Sequence, residues 1–105
     1  MVSDLIPLFS NQAEAVLAER TLIYLRDQKQ RFGIDPVSLP YSDSMLAYLK
    51  HDLHQLVEEG AIDSSIFNGQ LVNCAYVSDK LPTVLDHLVL AGYMEKIPPG
   101  YVLKP

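Results

Sequence analysis

Residues 78–104 read SDKLPTVLDHLVLAGYMEKIPPGYVLK. Leu81, Val84, Leu85 and Leu88 recur at three- and four-residue spacing, which sets them along one face of a helix. Ala91 ends the pattern, and Gly92 supplies the residue that most easily closes a helix in a left-handed turn. Beyond it, YMEKI and YVLK are short β-capable runs on either side of Pro98-Pro99-Gly100, a connection that suits a tight hairpin with the glycine at positive φ. The helix start has two readings. With Ser78 as N-cap, Pro82 lacks a needed N–H; with a start at Leu81, Pro82 falls at the first helical position, where that N–H has no partner anyway.

Upstream, AIDSS (61–65) is brief and β-capable, and Ser64 or Ser65 is a candidate cap for a short helix over roughly Ile66–Asn73, weakened by Gly69. From Ser42 or Asp43 to Glu59, the residues Met45, Leu46, Leu49, Leu53, Leu56 and Val57 share one helical face, and Gly60 ends it. The stretch GIDPVSLPYSDS (33–44) reads as a connection. The first helix is expected over 11–32, with Asn11 as N-cap, Glu14 completing a capping box and Gly33 as the stop. Its apolar residues Ala13, Val16, Leu17, Ile23, Tyr24 and Leu25 make a surface wider than one narrow seam, so a partner is expected to cover part of it. HQLVEEGAI (54–62) and HLVLAGYME (87–95) echo each other through shared helix-stop chemistry, with no structural repeat implied.

In order, residues 43–104 therefore read as helix, short strand, helix, turn, helix, strand, turn and strand. This resembles the winged helix-turn-helix superfamily. SDKLPTVLDHLVLAGYMEK looks like that family's recognition helix running through Gly and an aromatic residue into the first wing strand, and Leu81, Leu85, Leu88 and Gly92 match its spacing of core positions. The resemblance implies a mainly α chain with a small β-hairpin wing (α+β). It forms one domain over 1–105, with a winged-helix module over 43–105 preceded by an additional N-terminal helix at 11–32. In similar small regulators such an added helix makes a homodimer, and two half-sites then lengthen the sequence that is read. The function implied is that of a DNA-binding transcriptional regulator. The 78–91 helix would enter the major groove of double-stranded DNA with Lys80, Thr83 and His87, and the wing at 93–104 would set Lys96 and Lys104 on the backbone. Arg20, Arg26, Lys29 and Arg31 would reach flanking phosphates if their helix lies beside the module; otherwise they are an ordinary solvated face.

Charge pulls the other way. The formal net charge is −5, whereas affinity for duplex DNA comes largely from cationic side chains neutralising phosphates. The acidity is concentrated in 33–63, which holds Asp35, Asp43, Asp52, Glu58, Glu59 and Asp63 against Lys50, while 64–105 balances Asp79, Asp86 and Glu95 with Lys80, Lys96 and Lys104. Asp79 and Asp86 also fall on the exposed side of the expected reading helix, where they repel phosphate. A second reading follows, from a different class: a winged-helix module that binds protein and no DNA, its acidic surface steering basic partners.

Other chemistries find little support. His51, His54 and Glu58 share a helical face with spacing that suits metal ligands, but they lie opposite Leu46, Leu49, Leu53 and Leu56, where polar residues belong in any case. No metal and no cofactor are expected. No nucleophile and base, paired carboxylates or phosphate-cradling loop can be assembled, so an enzyme is not expected. The single Cys74, within LVNCAYV, reads as a small buried hydrophobe, and Tyr76, Tyr93 and Tyr101 read as packing residues with hydroxyls at an edge. The 105 residues are enough for a real core, and 49% hydrophobic with 20% charged is ordinary for a globular chain. MVSDLIPLF has no basic leader, and no run is long enough to span a bilayer, so a cytoplasmic location is expected.

Overall fold

The computed structural model describes residues 11–33, 37–38 and 42–104. The reading of the 1–9 stretch and most of the 33–44 connection lie outside them. The described chain runs α1 (Gln12–Phe32), β1 (Val37–Ser38), α2 (Asp43–Glu58), a 3-10 turn (Ser64–Phe67), α3 (Cys74–Leu90), β2 (Met94–Ile97) and β3 (Gly100–Leu103). It is mainly helical, with a small antiparallel hairpin after the helices, and no helix among the described residues is long and apolar enough to cross a membrane.

The first helix begins where its cap predicts: Asn11 Oδ1 accepts the Glu14 N–H at 2.8 Å. At the far end the Gly33 N–H donates to the Lys29 carbonyl at 2.9 Å. Residues 13–18 are buried on every side of the helix, with Ala15, Val16, Leu17 and Ala18 wholly enclosed. Small side chains at 15 and 18 suit close packing, and α1 contacts α2, α3 and the 3-10 turn. Thr21 is buried too, and its hydroxyl donates to the Leu17 carbonyl at 2.7 Å, which spares it an unpaired polar atom. Of the residues that made the apolar surface of this helix broad, Ala13, Val16, Leu17 and Leu25 are buried in the core of the chain itself, while Ile23 and Tyr24 are half-buried. This helix packs on both α2 and α3 and shares their core.

Between α2 and α3 the expected β-run at 61–65 and the helix over Ile66–Asn73 do not form. Asp63, and neither serine, caps a single 3-10 turn, accepting the Ser65 N–H at 2.9 Å, and this bond holds its carboxyl below the usual range. Asn68 and Gly69 then take φ of 54° and 76°, and two successive left-handed residues cannot continue a helix. The chain reaches α3 through Asn73, whose Oδ1 accepts the Tyr76 N–H at 2.8 Å. The N-cap therefore lies five residues before Ser78, and the helix runs straight through Pro82. An interior proline removes one hydrogen bond, to the Ser78 carbonyl. Tyr76, Val77, Leu81, Val84, Leu85 and Leu88, buried on both sides of it, hold the helix in register.

Gly92 closes α3 at φ 88°, and the Tyr93 N–H turns back to the Leu88 carbonyl at 3.0 Å. Strands β2 and β3 pair antiparallel with Met94 opposite Leu103 and Lys96 opposite Tyr101. The turn differs from expectation: the Pro98–Pro99 bond is cis, as in a type VI turn, and Gly100 is not among the positive-φ glycines. The strand missing from 61–65 lies instead in the connection after α1. There Val37 and Ser38 pair with Tyr101 and Gly100, giving a sheet of order β1-β3-β2. Met94, Tyr101 and Leu103 turn inward and seal the core beneath α3.

Candidate interaction face

With Val77, Leu81, Val84, Leu85 and Leu88 turned into the core, the helical period leaves Asp79, Thr83, Asp86 and Leu90 as one outward stripe on α3, with Pro82 beside it. Leu90 is 83% exposed at its end, and Ile97 on the hairpin is 50% exposed. The stripe thus presents two carboxylates, a hydroxyl and a bare aliphatic side chain.

The five residues expected to contact DNA are distributed unevenly around it. Thr83 is on the stripe. His87, on its flank, has Nδ1 2.9 Å from the Thr83 carbonyl. Lys80 is half-buried and its ammonium stands 5.8 Å from the Tyr76 ring centre. Lys96 leans over the Tyr101 ring at 5.5 Å, with its Nζ 3.9 Å from Asp86 Oδ1. Lys104 is exposed at the end of the hairpin. Asp86 also accepts the Tyr101 hydroxyl at 2.9 Å, so Tyr101, Asp86 and Lys96 join the hairpin to the helix. No sequence pattern announces this group, because it depends on how the hairpin docks.

The basic residues of α1 divide as well. Arg20 makes a two-pronged pair with Asp52 of α2, Nε–Oδ2 at 2.7 Å and a second guanidinium bond at 3.2 Å. Arg31 pairs with Asp27 one turn back at 2.9 Å, while Arg26 and Lys29 are exposed. Arg20 therefore ties two helices together, and the four do not form one cationic strip.

Among the described residues no group of three His, Cys, Asp or Glu is placed to hold a metal ion. His54, once a ligand candidate with His51 and Glu58, has Nε2 2.7 Å from the Val72 carbonyl. Cys74 is half-buried in the first turn of α3. Tyr76 is buried and meets Phe67 edge-on at 5.9 Å, and burial, with Glu14 nearby, pushes its phenol above the usual range. No protein-family model matches the chain, and no curated protein or solved structure matches it either.

Proposed function

We propose that this chain is a winged-helix module that works by binding protein, using the outer stripe of α3 and the adjoining hairpin against a basic, partly apolar partner surface. The winged-helix reading is supported by the order helix, strand, helix, turn, helix, hairpin, with the first strand closing the sheet on β3. The observation that carries the functional reading is the composition of the stripe. Where a groove-reading helix presents cations and amides to bases and phosphates, this one presents Asp79 and Asp86, and the nearest wing lysine is drawn onto Asp86. Carboxylates beside an exposed Leu90 suit a partner that brings Lys or Arg and an apolar contact together.

The other reading keeps one point in its favour: Lys80, Thr83 and His87 lie side by side on α3, as a duplex contact would need. One paired experiment separates the two. The chain is measured against a mixed-sequence duplex pool at low and moderate salt, and against a displayed random-peptide library. Enrichment of basic peptides with apolar anchors, abolished by Asp79→Lys, is the expected result. Salt-sensitive duplex binding, lost in Lys80→Ala with Lys96→Ala, would instead establish a DNA-binding regulator. Self-association through α1 is not part of the proposal, because the first half of that helix is committed to its own core.

A further inference from the structure

The strand order β1-β3-β2 leaves β2 as the outer strand among those described, and Glu95, Lys96 and Ile97 along it are exposed. One bond fixes which of its backbone groups point outward. The Lys104 N–H donates to the Tyr93 carbonyl at 3.1 Å, and the register sets Met94 opposite Leu103, so residues 93 and 104 face each other as a hydrogen-bonded pair. Antiparallel pairs alternate between bonded and non-bonded kinds. Glu95 opposite Val102 and Ile97 opposite Gly100 are then bonded to β3, whereas Met94 and Lys96 turn their N–H and C=O groups away from it, toward the free edge. Side chains alternate too. Met94 and Lys96 lie on the α3 side, with Lys96 drawn to Asp86, and Glu95 and Ile97 lie on the open side of the sheet.

Such an edge is a template for another strand, and its charges decide which. A second copy of the chain is refused. Two β2 strands related by a two-fold axis pair Met94 with Lys96 only in the register that sets the two Glu95 carboxylates face to face, at a non-bonded position where cross-strand side chains come closest. Centring the pairing on Lys96 sets two lysines opposite each other and runs into Pro98, which has no N–H. A basic residue opposite Glu95 reverses the sign, and an apolar one opposite Ile97 covers a side chain that is 50% exposed. We infer that the free edge of β2 takes up an extended segment of a protein partner as a further antiparallel strand, with the pattern apolar residue, any residue, Lys or Arg along the incoming chain. The N–H and C=O groups of Met94 and Lys96 bond to its backbone, and Glu95 and Ile97 select its side chains. This rests on the protein-binding reading above and supplies its mode, because Lys96 joins the edge to Asp86 and the added strand lies beside the α3 stripe.

The probe is a short acetylated peptide containing Val-Thr-Lys-Thr, titrated into the full chain by fluorescence anisotropy and amide NMR. Beside it run one version with glutamate in place of the lysine and one with the first threonine N-methylated. The lysine peptide should bind about tenfold more tightly than the glutamate peptide, Glu95→Lys should invert that order, and N-methylation should weaken binding by about tenfold or more. Hydrogen exchange adds a signature that charge alone does not give: binding should slow the Met94 and Lys96 amides and leave those of Glu95 and Ile97, already paired with β3, little changed. Lys96→Pro removes an outward N–H and no bond to β3, so it should abolish binding while far-UV circular dichroism stays native. Equal binding of the parent and N-methylated peptides, or binding that Asp79→Lys abolishes while the Met94 and Lys96 amides never respond, would overturn the edge and leave the protein-binding reading standing. Failure of the lysine peptide to bind overturns the edge as well, and where the chain also takes up duplex DNA the protein-binding reading falls with it.

Discussion

The place of α1 in the core is tested most sharply by Leu17→Ala. Leu17 is wholly enclosed, and the change removes three carbons. At about 0.8 kcal/mol for each buried methylene-sized group, the transfer term alone is about 2.4 kcal/mol. The cavity left behind raises the cost toward about 3–4 kcal/mol, since the surroundings of a wholly enclosed residue relax only partly into the space it leaves. In a domain of this size that is a drop of roughly 10–20 °C in melting temperature. Urea unfolding followed by far-UV circular dichroism measures it directly, with sedimentation velocity at the same concentrations. Phe32→Ala, at the end of the same helix and 65% exposed, is the control and should change stability by no more than about 0.5 kcal/mol. The reasoning fails if Leu17→Ala unfolds at the wild-type urea concentration. It fails equally if the loss of stability varies with protein concentration, which would place Leu17 in an interface between copies.

Pro82 is exposed in mid-helix, so Pro82→Ala restores the bond to the Ser78 carbonyl and should stabilise the fold by about 1–3 kcal/mol, seen as a higher urea midpoint. Asn73→Ala should cost about 1 kcal/mol through loss of the α3 cap, whereas Ser78→Ala should be nearly silent; the reverse ranking would move the helix start back to Ser78. A double-mutant cycle on Arg20 and Asp52, whose side chains are 22% and 16% exposed, should give a coupling of about 1–2 kcal/mol, and no coupling would mean the pair does not tie α1 to α2. The last test uses pH. Burial raises the phenols of Tyr24, with Tyr48 and Asp27 adding to it, and of Tyr76, with Glu14 adding. Folding therefore favours their neutral forms, a contribution that is complete below the ordinary value of about 10 and lost as pH rises through the raised folded values. Ultraviolet titration should show two tyrosines ionising late, with stability falling in the same window.

What α3 presents outward follows from its exposed stripe, and that stripe was partly legible in advance. Asp79 and Asp86 were readable as exposed carboxylates because a period of 3.6 puts them opposite Leu81, Leu85 and Leu88. The engagement of Lys96 was not. It depends on Tyr101, whose hydroxyl and ring bring Asp86 and Lys96 together only once the hairpin packs on the helix. Arg20 is a similar case, since its partner Asp52 lies 32 residues away. A charge count treats it as solvated, and packing makes it an interhelical tie. His54 and Val72 meet across 18 residues, a contact with no local signature.

The sequence by itself determined the features that live within one turn of chain. Asn11 and Ser42 cap because a short polar side chain reaches an N–H three residues ahead, and Gly33, Gly60 and Gly92 end helices because a left-handed residue without a Cβ is cheap there. The hairpin after Gly92 was readable from the β-capable runs on either side of Pro98-Pro99-Gly100, although Gly100 does not take the positive φ expected of it. Only the tertiary structure decided where competing local signals were settled. The 66–73 stretch gave up its helix when Asn68 and Gly69 turned left-handed. The helix ran back through Pro82 to Asn73, where buried apolar residues on both sides outweigh one lost hydrogen bond. Two residues at 37–38 became a strand only because β3 offered an edge. And α1 joined the core through its first half, since apolar residues there are most stable when neighbouring elements of the same chain remove them from water.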